Sequence, residues 1–87
     1  IAADVHFLVG EGYRDIVALA HGAGMEYADT TAYLAEAPQA RGRALEHYRA
    51  AIAAAPERPV ARAAWRRAWW LLADLPVRSV RFLCVYD

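Results

Sequence analysis

The chain has 87 residues, a formal net charge of zero and ten arginines with no lysine. That is one domain with a thin core, since a chain this short buries only about 60–65% of the surface it exposes when unfolded. No uncharged run exceeds about ten residues, half of the ~20 needed for a membrane-spanning helix. Cys84 is the lone cysteine, which excludes an internal disulfide and leaves the compartment open.

Twenty-one alanines lean the chain towards helix, alanine being the best helix former. Together with the absence of lysine they also match the composition of a GC-rich, bacterial-type genome. Ile1 rather than methionine opens the sequence, so the expectation is a processed product or a piece of something longer. The charge is unevenly spread. Residues 1–39 hold six acids against Arg14, and residues 40–87 hold nine arginines against four acids. Such asymmetry predicts electrostatic pairing of surfaces, within the fold or between copies.

Residues 3–21 carry apolar or small side chains at 5, 8, 9, 12, 13, 16, 17 and 20, with Asp4, Glu11 and Asp15 off the stripe. The spacing predicts a helix over 3–21. Gly10 and Gly12 each weaken it by about 0.8–1 kcal/mol relative to alanine, and a short strand over Val5–Val9 is the competing reading. His21-Gly22-Ala23-Gly24 supplies a stop, because glycine accepts the left-handed conformation that closes a helix. A second helix is expected over 25–36, with Tyr27, Thr31 and Leu34 on one side. Pro38 suits the first turn of a third.

That third helix, 39–55, has the clearest stripe: Ala44, Leu45, Tyr48, Ala51, Ile52 and Ala55, with Arg43, Glu46, Arg49 and Ala53 opposite. Pro56-Glu57-Arg58-Pro59 breaks and restarts the chain. A fourth helix over 60–74 is expected to bury Ala61, Ala64, Trp65, Ala68, Trp69 and Leu72, with Arg62, Arg66 and Arg67 facing away. Asp74-Leu75-Pro76 ends it. In the tail, 77–87, Val80, Phe82, Cys84 and Tyr86 alternate with Arg81, Leu83 and Val85, a strand-like pattern. The expected fold is therefore all-α: a single domain over 1–87, with about four helices in antiparallel helix-turn-helix pairs and a short extended tail.

Sliding the chain by 35 residues lays Glu11, Tyr13, Arg14, Ala18 and Ala20 over Glu46, Tyr48, Arg49, Ala53 and Ala55, with Val17 over Ile52. A period near 34 marks helix-turn-helix repeats. Ala44, Tyr48, Ala51 and Pro56 stand at the offsets where a tetratricopeptide repeat places a small residue, an aromatic, a second small residue and a proline. The segment 5–74 thus resembles that family, although only the third helix matches it well. The helix before it, 25–36, which would be the first of that repeat, lacks the usual tryptophan or leucine near its start. The resemblance implies a scaffold that presents a surface to a peptide or another protein. It carries no specific ligand contacts onto this chain.

Several constellations compete with that reading. His21-Gly-Ala-Gly after Ile16–Ala20 resembles the strand and oxyanion loop of an α/β-hydrolase, but Ser79, the only serine, lacks the Gly-x-Ser-x-Gly context of a nucleophile. This would make the chain a fragment or accessory segment of an enzyme. His6, His21, His47 and Cys84 follow no metal-ligand spacing and the histidines are read as solvated or capping groups, so neither a metal nor a cofactor is expected. Gly10-Glu11-Gly12 lacks the third glycine of a dinucleotide loop, and Gly12 fits better as a point of close helix approach.

Arg58, Arg62 and Arg66 recur every four residues, with Arg67 and Trp70 beside them. Tryptophan between arginines suits a protein partner or a stacked base. A pI near 7 argues against nucleic acid. The tail or a second copy covering Trp70 is the structural alternative. The expected role is a protein-interaction module, with Arg62, Arg66, Arg67, Trp70, Phe82 and Tyr86 as the candidate contact surface. The partner is expected to be a protein or peptide, or a second copy of the chain, the tail strand adding to an edge.

Overall fold

The computed structural model of the chain describes residues 1–20 and 31–73. Three helices run through them: α1 (Ala2–Ala20), α2 (Thr31–Ala54) and α3 (Pro59–Leu72). No strand occurs among the described residues. The all-α class holds for the described residues, which contain three helices where about four are expected for the chain.

Helix α1 spans the segment for which a strand over Val5–Val9 was the competing reading, and Ile16–Ala20 is helical as well. The His21–Gly24 stop, the first half of the helix expected over 25–36, and the tail over 77–87 with its candidate contacts Phe82 and Tyr86 all lie outside the described residues. The rest of the second expected helix merges with the third. Pro38 sits inside α2 rather than between two helices. Proline removes one backbone donor and crowds the preceding turn, a cost of about 3 kcal/mol in a helix interior. Here Leu34 and Pro38 are both exposed, so the carbonyl left without its donor lies on the solvent side, where water can satisfy it.

The break between α2 and α3 is where the two prolines put it. The Arg58 amide donates to the Ala55 carbonyl at 3.1 Å. Arg58 itself is extended, and Pro59 occupies the first turn of α3, where its missing donor costs nothing. At the far end, the Arg41 guanidinium donates to the Leu71 carbonyl at 2.8 Å, an arginine of α2 closing the last turn of α3.

Contacts fix the directions. His6 meets His47, Tyr13 lies by His47 and Arg43, and Ile16 lies by Gln39 and Ala40. Position rises in α1 as it falls in α2, so the two are antiparallel. Helix α3 turns back on α2 and runs alongside α1, with Asp4 near Arg58 and Glu11 near Arg67.

The core is built from small residues. Ala18, Ala40, Ala44, Ala51, Ala64 and Ala68 surround Val17, Tyr48 and Leu71. Alanine lets helix axes approach closely, and the one large ring, Tyr48, is fully buried between them. Helix α1 meets this ring closely at Gly10. A Cβ there would stand 2.8 Å from Cδ1 and Cε1 of Tyr48. Phe7 flanks the same ring, with centroids 5.9 Å apart.

Candidate functional site

On α1 the expected apolar stripe is only partly covered: Val5, Leu8 and Val9 are exposed, while Glu11 and Asp15, which the periodicity places off the stripe, are buried. Helix α3 also departs from the expected pattern. Its covered stripe is Ala61, Ala64, Ala68 and Leu71. Trp65 is 60% exposed, Trp69 51% and Leu72 61%, although all three were expected inside. At 100° per residue the covered face is turned by roughly a sixth of a circle from the one predicted. Both faces satisfy the periodicity, because the apolar arc of this helix is wider than one neighbour can cover. What selects the observed rotation is visible on the flank towards α1, where Arg67 reaches Glu11.

That contact belongs to a buried polar network. The Tyr48 hydroxyl donates to Oε1 of Glu11 at 2.6 Å, and Nε of Arg67 donates to the same oxygen at 3.0 Å. One carboxylate thereby ties all three helices together. Glu11 is 5% exposed, Arg14 7% and Asp15 0%. No buried side-chain polar atom among the described residues lacks a hydrogen-bond partner, as a polar cluster in a low-dielectric interior requires. Burial pulls the Arg14 guanidinium below its ordinary value, and the Glu11 carboxylate opposes that shift. Burial first, and then the hydrogen bond and charge of Glu11, push the Tyr48 phenol well above its ordinary value.

The candidate contact residues consequently separate. Arg62 and Arg66 are exposed and line a groove of about 440 Å³ with Trp65, Ile52 and the Pro56–Pro59 turn. Arg67 does not join them. It was expected to face away with Arg62 and Arg66, but its side chain turns inward and is spent on Glu11. Trp70 is 43% exposed and lies beyond Arg66 on the helix, apart from Trp65 and Trp69. Trp65, Trp69 and Leu72, at i, i+4 and i+7, form an apolar stripe between the covered alanines and the arginines. Arg58, at the head of the groove, bridges to Asp4 at 3.1 Å with both side chains about half exposed.

Two features lay outside the expectations. The periodicity places Glu11 and Tyr48 in no shared contact, yet they bond to each other. The partners they were laid over are placed differently: Glu46 is exposed and Tyr13 is half-buried. The histidines read as solvated or capping include a pair, His6 and His47, whose Nδ1 atoms lie 3.0 Å apart. Neither feature has a local signature, because each joins positions some 40 residues apart. Comparison with protein-family models, with curated proteins and with solved structures finds no match to this chain.

Proposed function

We propose that this chain is a protein-interaction module that works by contact, its contact surface being the uncovered side of α3. The observation that carries this is the line of Trp65, Trp69 and Leu72, each more than half exposed, on a helix whose other stripe is packed against α2. Tryptophan and arginine dominate the energetics of protein interfaces, and an in-line apolar stripe rimmed by charge marks a docking surface. Arg62 and Arg66 beside the stripe favour a partner with acidic residues flanking its apolar ones.

The tetratricopeptide likeness belongs to the same proposal. Full burial of Ala44, Tyr48 and Ala51 supports it, and the different surroundings of Glu11 and Glu46 weigh against two equivalent units. The hydrolase-like reading needs an extended strand over Ile16–Ala20, which is helical. Nucleic-acid binding loses Arg67 to Glu11 as a phosphate contact.

The test is a peptide-library selection against the immobilised chain, run beside Trp65→Ser/Trp69→Ser, with circular dichroism as the check that the variant is folded. The expected outcome is enrichment of peptides that combine apolar anchors with aspartate or glutamate and that bind the variant at least tenfold more weakly. Selected peptides that bind both proteins equally, or no enrichment together with a single-chain mass at high concentration, would overturn the proposal. A dimer mass that reverts in the variant would support it, with a second copy as the partner.

A further inference from the structure

We infer that His6 and His47 form a chelating pair for a late first-row divalent metal ion, Cu(II) or Ni(II), bridging α1 and α2. The two side chains come from antiparallel helices, 41 positions apart, and bring Nδ1 to Nδ1 at 3.0 Å. Without a metal, a hydrogen bond joins the two nitrogens, with either ring as the donor according to its tautomer. With that proton displaced, the two nitrogens can each offer a lone pair to one ion, the first half of a coordination sphere.

The distance discriminates between metals. With metal–nitrogen bonds of about 2.0–2.1 Å, a 3.0 Å separation closes an angle of roughly 91–97° at the ion. That is the adjacent-ligand angle of square-planar or octahedral coordination, which Cu(II) and Ni(II) adopt, and it is tight for tetrahedral Zn(II). The rings are held for the purpose. His47 stacks on Tyr13, with centroids 5.9 Å apart and planes 15° from parallel, and Arg43 lies over the other ring of that stack, 5.9 Å from the Tyr13 centroid. The imidazole planes of His6 and His47 are tilted by 32° with centroids 5.3 Å apart.

Both rings are half-buried, which leaves one side open to water. No third histidine, cysteine, aspartate or glutamate joins the pair among the described residues, so water completes the sphere. Two imidazoles and no carboxylate select a borderline metal over Mg(II) or Ca(II), which take oxygen ligands. Across first-row ions the affinity should follow the usual order, with Cu(II) above Ni(II).

The experiment is calorimetric titration of the whole chain with Ni(II) in a non-coordinating buffer at neutral pH. It is run on the wild type and on His6→Ala, His47→Ala, His21→Ala and Cys84→Ala. The expected result is one ion per chain, bound at least tenfold more weakly by either His6→Ala or His47→Ala and unchanged in the other two variants. A second measurement needs no substitution: Cu(II) at sub-stoichiometric amounts should broaden the amide resonances around positions 6 and 47 first. Absence of binding, binding indifferent to His6 and His47, binding that depends on His21 or Cys84, or broadening centred elsewhere would each overturn the assignment and leave the pair as a proton-sharing contact.

Discussion

The ring of Tyr48 occupies the space that a side chain on Gly10 would need, with Cδ1 and Cε1 both 2.8 Å from where a Cβ would stand. The ring cannot slide away, because it is fully buried and its hydroxyl is tied to Glu11 at 2.6 Å. Two effects therefore oppose each other in Gly10→Ala. Alanine raises helix propensity by about 0.8–1 kcal/mol, while overpacking a fixed core costs about 1–3 kcal/mol. The clash should win, so Gly10→Ala is expected to lower the urea midpoint, whereas Gly42→Ala, with nothing within 4 Å, should raise it. A stabilised Gly10→Ala would mean that α1 and α2 are further apart than described.

Tyr48 also carries a pH dependence whose sign follows from its surroundings. Burial and the Glu11 carboxylate raise its ionisation above the ordinary value near 10. A group whose folded pKa is raised contributes stability that is complete below the unfolded pKa and is lost as pH climbs above it. The protein should therefore hold its stability up to about pH 10 and lose up to about 1.4 kcal/mol per pH unit beyond. Tyr48→Phe removes the titrating group and one hydrogen bond to a buried carboxylate, at a cost of about 1–3 kcal/mol at neutral pH. Its stability should then fall less between pH 8 and pH 11 than that of the wild type. Equal losses in denaturant midpoint for the two proteins would show that Tyr48 is not the group responsible.

Neighbouring arginines provide a third comparison. Arg66 is exposed, whereas Arg67 donates to Glu11 at 3.0 Å with its side chain 30% accessible. Arg66→Ala should change stability by no more than about 0.5 kcal/mol, as surface substitutions do. Arg67→Ala leaves the Glu11 carboxylate buried with less compensation. Breaking a fully buried pair costs about 3–5 kcal/mol, and the partial exposure of Arg67 reduces this to about 1–3 kcal/mol. Thermal denaturation of the two variants side by side decides it, and equal midpoints would remove Arg67 from the network.

Periodicity and propensity were sufficient for the helical class, for the extent of α1, for the Tyr48 stripe of α2, and for the break at Pro56–Pro59, because each rests on local chemistry. They did not give the covered face of α1, where Val5, Leu8 and Val9 are exposed while Glu11 and Asp15 are buried, Glu11 in contacts with distant residues. They failed at Pro38, where the prolyl ring falls on the exposed side of a long helix that tolerates it. They failed again on α3, where the apolar arc takes in Ala61, Ala64, Trp65, Ala68, Trp69, Leu71 and Leu72 and two rotations fit it almost equally well. Choosing between them depends on Glu11, 56 positions away from Arg67, and no window of sequence contains both. The same holds for His6 with His47. Alanine content, read as a matter of composition, turned out to decide the packing distance.

The rotation of α3 makes its own prediction, since it separates adjacent residues that the periodicity placed together. Ala64 is fully buried and Trp65 is 60% exposed. Ala64→Leu inserts three carbons between α3 and α2 and should destabilise by about 1–3 kcal/mol. Trp65→Ser removes a large side chain that is mostly in water already, so the loss should be about 1 kcal/mol or less. If the helix were instead turned so that Trp65 faced the core, the order would invert, with Trp65→Ser costing about 3 kcal/mol or more from the cavity it leaves. The pair measured by chemical denaturation therefore reads the rotation of α3 directly. It also establishes whether Trp65 is free to be used in binding, because a residue that stabilises the fold so little has its large apolar surface available to a partner.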